Sequence, residues 1–109
     1  MTSLHPDNST EVQEICVKSG FGSLICQLVQ NITDYEMHIK LYEGLADLVL
    51  SPSQRVASTA VEQGCYQELT KGAYESDFHK VRRVCQSALD KVPQHLVDLN
   101  AKALKRRLF

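Results

Sequence analysis

The 109-residue sequence predicts an all-α fold organised as a single compact domain. Helix-start patterns and apolar residues at helical spacing recur along the chain, and no stretch shows the sustained apolar–polar alternation of a strand. Composition agrees, because 43% hydrophobic and 23% charged residues are ordinary for a globular protein. A chain of this length buries roughly two-thirds of its extended surface, enough for one cooperative core. We therefore predict one domain over residues 1–109, with 1–9 as a flexible N-terminal leader.

The first third of the chain predicts two helices separated by a glycine turn. Thr10 followed by Gln13 has the capping-box pattern and opens a short helix. Gly20 and Gly22 interrupt it, and an almost uniformly apolar stretch follows over residues 21–32. A helix that is apolar on all sides is normally buried. We therefore expect this second helix to lie at the centre of the core.

The middle of the chain predicts two more helices. Thr33 with Glu36 forms a second capping box, and Ser51-Pro52 places an N-cap serine before a proline at the first helical position. Gly64 either loosens the second of these helices or ends it early. Apolar residues at helical spacing follow each start, namely Met37, Leu41, Leu45 and Leu48, then Val56, Ala60, Val61 and Leu69.

The last third adds two helices and completes the predicted architecture. Gly72 or Ser76 begins the first, which ends at Val92-Pro93 because the residue before a proline disfavours helical backbone. The final helix covers about residues 94–108. We thus predict five to six antiparallel helices with short links, arranged as a bundle or as stacked helical hairpins.

A weak internal repeat favours the stacked arrangement. At an offset of 41 residues, Leu48, Pro52, Val56 and Ala60 recur as Leu89, Pro93, Val97 and Ala101. This period lies in the range of helical solenoid repeats. The stretch from Leu45 to Leu69 resembles a HEAT or armadillo unit, and Phe78, Ala88 and Pro93 resemble the second half of a tetratricopeptide unit. Either resemblance implies a scaffold that binds a helix or peptide of another protein, whereas a plain bundle is the alternative.

Charge is distributed unevenly along the chain. Residues 1–77 hold four basic against eleven acidic residues, whereas residues 78–109 hold eight basic against two acidic residues. Opposed charges of this kind suggest oriented association or an anionic partner, although cations also gather at helix C-termini because the macrodipole favours them there. The candidate binding residues of this basic pole are Lys80, Arg82, Arg83, Lys102, Lys105, Arg106 and Arg107.

The C-terminal segment Lys105-Arg106-Arg107-Leu108-Phe109 carries a further resemblance. A basic residue, then leucine, then a bulky apolar residue is similar to the short docking motif of cyclin-bound substrates and inhibitors. The resemblance implies cyclin binding, while a Leu-Phe tail anchored in the core explains the same residues without a partner.

The sequence holds no pattern typical of an enzyme, a metal site or a cofactor site. Its four cysteines, at positions 16, 26, 65 and 85, form no Cys-x-x-Cys pair, and Cys26 and Cys85 lie among apolar residues. No glycine-rich phosphate loop, nucleophile elbow or Glu-x-x-His pair occurs. No stretch is apolar enough for a membrane span, and the polar N-terminus is unlike a secretory leader. We therefore expect a cytoplasmic protein in a reducing compartment, without catalytic residues, metal or cofactor.

A small helical domain without catalytic features typically works by binding another protein. We predict an interaction module (adaptor, chaperone-like or regulatory) that binds itself, as a homodimer, or another protein. Tyrosine combines a large apolar ring with a polar tip and is enriched at interfaces, which makes Tyr35, Tyr42, Tyr66 and Tyr74 the candidate interface aromatics. The alternative is a small nucleic-acid-binding regulator that uses the basic pole, although aromatic residues for base stacking are not interleaved with it.

Overall fold

A computed structural model describes the backbone of residues 6–108 and the side chains of residues 11–106. This part of the chain holds seven α-helices and no strand, packed as one all-α domain as the sequence predicts. The helices are α1 (Pro6–Lys18), α2 (Phe21–Asn31), α3 (Tyr35–Val49), α4 (Gln54–Glu62), α5 (Cys65–Glu75), α6 (His79–Lys91) and α7 (Gln94–Leu108).

The helix count exceeds the predicted five to six because the predicted fourth helix is divided at Gly64. The backbone of Gly64 is left-handed, with φ of 100°, a conformation that an α-helix cannot contain and that glycine adopts without steric cost. Gly20 has the same conformation, with φ of 84°, between α1 and α2. These two glycines are 44 residues apart, and each is the N-cap of the helix that follows.

Two predicted N-caps are wrong by one or two residues. Asp34, not Thr33, caps α3, because its carboxylate accepts a hydrogen bond at 3.0 Å from the backbone N–H three residues later. Ser53, not Ser51, caps α4 in the same way at 3.3 Å. The Ser51 hydroxyl instead donates to Oε1 of Gln13 at 2.8 Å, so its side chain joins α1 to the turn before α4.

Other helix boundaries also differ from the sequence prediction. α1 begins at Pro6, four residues before Thr10, and residues 1–5 of the predicted flexible leader lie outside the described residues. Gly72 lies inside α5, and α6 begins only at His79. The predicted break at Val92-Pro93 is confirmed, because it separates α6 from α7.

The core lies around α3, which packs against α2, α4, α5 and α6. Its largest fully buried side chains are Leu45, Leu69, Leu96, Val17, Val49, Val56, Val61 and Val81. The prediction that α2 is the central helix is therefore wrong. Ile25 and Val29 are buried, but Phe21, Leu24 and Leu28 are 40%, 48% and 38% exposed. α2 is apolar on all sides, and the neighbouring helices cover only the side that carries Ile25 and Val29.

The helices form two consecutive groups, α1–α3 (the first triplet) and α4–α6 (the second triplet). α5 and α6 each begin 44 residues after α2 and α3. The first triplet lies over the second, since α1 packs on α4, α2 on α5, and α3 on both α5 and α6. α7 packs on α4, the helix that also contacts α1.

The structural spacing replaces the 41-residue offset seen in the sequence. Val56 and Ala60 are fully buried, whereas their partners at that offset, Val97 and Ala101, are half-buried and exposed. The buried residues of α7, among those whose side chains are described, are instead Leu96, Asn100 and Ala103. The offset of 41 therefore records a shared proline before two helices, not residues in equivalent surroundings.

Candidate functional site

A buried polar network joins the two triplets. The hydroxyl of Tyr42 on α3 donates to Oε2 of Glu68 on α5 at 3.2 Å, and the Gln30 side chain on α2 donates to the other oxygen at 3.4 Å. Glu68 is only 5% exposed. Burial, followed by the nearby Glu68 charge, raises the pKa of Tyr42 well above its usual range, so its hydroxyl remains a donor. The network holds the carboxylate by hydrogen bonds and fixes α2 and α3 on α5.

An aromatic cluster lies beside this network. Phe78 makes edge-on contacts with Tyr35, at 5.0 Å between ring centroids, and with the ring of His38, at 5.6 Å. Nε2 of His38 donates to the carbonyl of Ile32, which places the imidazole proton on that nitrogen. The cluster thus joins the first turn of α3 to the N-cap of α6.

The network and the aromatic cluster line one open pocket of about 200 Å³. Its walls are His38, Tyr42, Glu68, Lys71, Glu75, Ser76, Asp77 and Phe78. Glu68, the buried carboxylate among these walls, already accepts two hydrogen bonds within the fold. Within residues 11–106, no three His, Cys, Asp or Glu side chains are grouped as metal ligands would be.

The buried thiols carry no sign of a reactive cysteine. A hydrogen bond with Cys26, together with burial, raises the pKa of the Cys65 thiol well above its usual range. Burial, followed by the Glu68 charge, raises the pKa of the Cys85 thiol to about 12. A nucleophilic cysteine requires the opposite shift, toward the thiolate. The predicted burial is confirmed for Cys85, while Cys26 is half-buried.

The structure separates the four candidate tyrosines. Tyr74 is 75% and Tyr35 44% exposed, whereas Tyr66 is half-buried. Tyr42 is 4% exposed and belongs to the buried network, so its side chain offers almost no surface to a partner.

The basic residues divide between two helices with different packing partners. Lys80 and Arg83 are exposed on α6, where they line an open pocket with His79 and Val84. Arg82 is half-buried and donates to the carbonyl of Ser76 at 2.6 Å, which makes it a structural residue. α6 packs on α3 and α5.

The remaining basic residues lie on α7, which packs on α4. Lys102 and Lys105 are exposed, and Arg106 pairs with Glu62 of α4 at 3.3 Å. The side chains of residues 107–109, which include Arg107 and the end of the cyclin-like motif, lie outside the described residues. The residues of the basic pole thus lie on two helices that pack against different neighbours.

The most distinctive surface feature is apolar and lies on α1 and α2. Of the eight large hydrophobic side chains exposed within residues 11–106, seven lie between positions 12 and 37. Five of them sit on α1 and α2 at helical spacing, and we call these the apolar face: Val12, Ile15, Phe21, Leu24 and Leu28. The sequence prediction assigned the α2 residues to the core. One feature of the sequence could have indicated this exposure. α2 carries apolar residues on all sides, and contact with the core covers only one side of a helix.

Comparisons with known proteins add no family to this description. No protein-family model matches the chain, and neither a curated protein nor a solved structure matches it. Across residues 6–108, no helix combines the length and apolarity needed to cross a membrane. The functional inference therefore rests on the chain's own residues.

Proposed function

We propose that the protein is a non-catalytic interaction module, an adaptor, chaperone-like or regulatory helical protein, that binds a protein through its apolar face. The observation that carries the proposal is the exposure of five large apolar side chains on two adjacent helices. Soluble proteins rarely leave contiguous apolar surface in water unless it binds something. Side chains such as Ile15, 65% exposed, and Leu24, 48% exposed, gain free energy when a partner removes them from water.

We further propose that the two triplets are stacked units of the HEAT or armadillo kind. Three helices per unit and a period of 44 residues agree with armadillo repeats, which span about 40–47 residues. The equivalent left-handed glycines, Gly20 and Gly64, support the same alignment. Stacked helical units bind partners along extended surfaces, which fits a scaffold function.

The uneven charge would orient the contact. Acidic residues dominate up to position 77 and basic residues dominate after it. Exposed charges on either side of an apolar contact mainly accelerate encounter and fix orientation, while the apolar side chains supply affinity. Lys80, Arg83, Lys102 and Lys105 are among the exposed basic residues that can act in this way.

The proposal is tested by affinity capture from the native lysate with three tagged chains: wild type, Leu24→Asp and Ala101→Asp. Leu24 belongs to the apolar face, whereas Ala101 is an exposed apolar residue of α7 and serves as the control for the added charge. A stoichiometric protein partner, including an untagged copy of the chain, should be retained by wild type and Ala101→Asp and lost by Leu24→Asp. Equal capture by all three would contradict binding through the apolar face.

Nucleic-acid binding is the second candidate, favoured by exposed Lys80 and Arg83 beside one another on α6. Nuclease treatment of the lysate separates the two functions. Partners that disappear after nuclease, with binding that weakens by orders of magnitude over a few-fold rise in salt, would support phosphate contacts. An apolar protein interface would persist through both treatments.

A further inference from the structure

We infer that the partner of the apolar face is a second copy of this chain, and that two copies pack as a closed, two-fold dimer with α1 and α2 of each against α1 and α2 of the other. The inference rests on the proposed function, because it names the partner of the same surface. It is carried by three observations: a packing precedent within the chain, the absence of charge on α2, and the area of the apolar face.

The second triplet shows what positions equivalent to the apolar face require. At the structural spacing of 44 residues, Phe21, Leu24 and Leu28 correspond to Cys65, Glu68 and Gly72. The latter three are buried, because the first triplet lies over them. In the first triplet the same three positions carry larger apolar residues and no helix lies over them within residues 6–108. The apolar face therefore has the character of a packing surface, and the group that covers it must come from outside the described helices.

The close contacts beneath the first triplet show how tightly such a cover packs. The backbone N–H of Gly22 donates to the Gln63 side chain at 3.1 Å. A Cβ added at Gly22 would lie 2.8 Å from the sulfur of Cys65, and one added at Gly72 would lie 2.6 Å from the Tyr42 ring. Helix α5 is therefore covered at van der Waals distance, whereas the equivalent surface of α2 is open.

The charge pattern of α2 favours a second copy as the cover. None of the eleven residues of α2 is charged. When a surface meets its own copy across a two-fold axis, any charge near the axis meets a like charge, which is unfavourable when desolvated. α2 avoids this cost entirely. On α1, Glu14 already pairs with Arg55 of α4, and its pairing partially neutralises the acidic side of that helix.

The area of the apolar face agrees with a dimer of standard size. Its five side chains expose roughly 400 Å², judged from their fractional exposures and the surface of large apolar side chains. Apolar atoms make up about 57% of a typical interface, so this face corresponds to roughly 700 Å² per partner. Standard interfaces bury about 800 Å² per partner.

The packing of α7 on α4 disfavours growth by end-to-end stacking. α1, α4 and α7 pack in that order, so α7 already occupies the place that α1 of a following copy would take on α4. A surface that meets its own copy across a two-fold axis closes at two chains, whereas head-to-tail contact continues into a filament. The geometry therefore favours closure at the dimer.

The test is the mass of the purified full chain by light scattering and sedimentation, from low-micromolar to submillimolar concentration. Wild type should rise from 12.3 kDa to a plateau at twice that mass. Leu24→Asp on α2 and Ile15→Asp on α1 should each weaken dimerisation by at least about 30-fold, the effect of a central interface residue. Ala101→Asp, which adds the same charge at an exposed position of α7, should dimerise as wild type does. Circular dichroism of each variant checks that helicity is kept, which is expected because all three side chains are substantially exposed.

Three outcomes overturn the dimer: a mass of one chain at every concentration, a mass that grows beyond two chains, or an unchanged concentration dependence of the mass in both the α1 and the α2 variant. The failures of the two proposals are distinguishable. A monomer that nevertheless loses a captured protein on Leu24→Asp overturns the dimer and leaves the proposed function standing. A monomer whose captured proteins are the same with and without Leu24→Asp overturns both.

Discussion

The two triplets have the same order of helices but opposite exposure at equivalent positions. Val12, Phe21 and Leu24 are 58%, 40% and 48% exposed in the first triplet. Their equivalents 44 residues later, Val56, Cys65 and Glu68, are at most 5% exposed. The inner positions agree instead, since Val17 and its equivalent Val61 are both fully buried.

This comparison shows that stacking, not helix composition, decides which side chains are buried. Each triplet has one side that faces its own neighbouring helices and one side that faces the next unit. The second triplet is covered by α1–α3 on one side and α7 on α4. The first triplet is covered only on its side toward α4–α6. Its other side is uncovered and carries more apolar residues than the equivalent positions of the second triplet. This uncovered side is therefore the candidate interface.

The largest expected effect comes from comparing a covered and an open leucine. Leu69→Ala on α5 removes a fully buried side chain and should lower the free energy of unfolding by about 3 kcal/mol, the usual cost of a large cavity. Leu24→Ala on α2 should cost less than about 1 kcal/mol, because nearly half of that side chain is in water and alanine favours helix. Urea denaturation of the monomeric protein measures both. Equal losses would mean that α2 is as well covered as α5.

Alkaline pH should lower the free energy of unfolding, because the pKa of a buried thiol in the second triplet is raised. Burial raises the pKa of Cys85 from 9.0 to about 12, so the folded state keeps a proton that the unfolded state loses above pH 9. Stability is therefore fully present below pH 9 and falls as pH rises toward 12, by about 1.4 kcal/mol per pH unit for this thiol. The pKa values of Tyr42 and Cys65 are also raised, so these two groups add to the loss of stability at alkaline pH. Urea unfolding at several pH values measures the slope, which Cys85→Ala should reduce; an unaltered slope in that variant would refute the assignment.

A mid-sized effect is expected where the two triplets are joined by one glutamine. The Gln63 side chain accepts from the backbone N–H of Gly22 and donates to the carbonyl of Val17. Gln63→Ala leaves both backbone groups without this partner and should cost about 1–3 kcal/mol. Gln67→Ala, at a half-buried glutamine of α5, is the matched control and should cost less. If both variants unfold at the same urea concentration, Gln63 does not hold the triplets together.

The smallest effects are expected at the surface ion pairs. Arg55 pairs with Glu14 at 3.4 Å across the triplets, and Arg106 pairs with Glu62 at 3.3 Å between α7 and α4. Both arginine side chains are more than 60% exposed, so water screens each pair. Arg55→Ala and Arg106→Ala should each change the free energy of unfolding by less than about 0.5 kcal/mol. A loss above about 1 kcal/mol at either arginine would show an ion pair stronger than exposed pairs normally are.

Much of the helical layout could be predicted from local patterns. Gly20 and Gly64 mark two turns, and Val92-Pro93 marks a third. These signals work because left-handed backbone and proline constrain the chain within a few residues. The predicted N-cap positions were wrong by one or two residues. Thr33 and Asp34 are both good cap residues, and so are Ser51 and Ser53, so the sequence alone does not choose between them. The side chain that finds a free N–H is chosen by the surrounding packing.

The candidate site was predicted less well than the fold. Tyr35 and Tyr74 are exposed and remain predicted interface residues, whereas Tyr42 is buried and hydrogen-bonded to Glu68. The α2 residues of the apolar face were assigned to the core, because side-chain polarity alone does not show which neighbour covers a helix. The basic residues lie on α6 and α7, which pack against different helices.

The sequence by itself determined that the protein is helical, where its main turns lie, and that charge changes sign near residue 78. These are local or additive properties, set by backbone sterics, helical periodicity and composition. Only the tertiary structure decided that α3 is central, that Glu68 is held by Tyr42 and Gln30, and that Phe21, Leu24 and Leu28 face outward. Burial depends on contacts between residues about 40 positions apart, and such contacts leave no periodic trace within either helix.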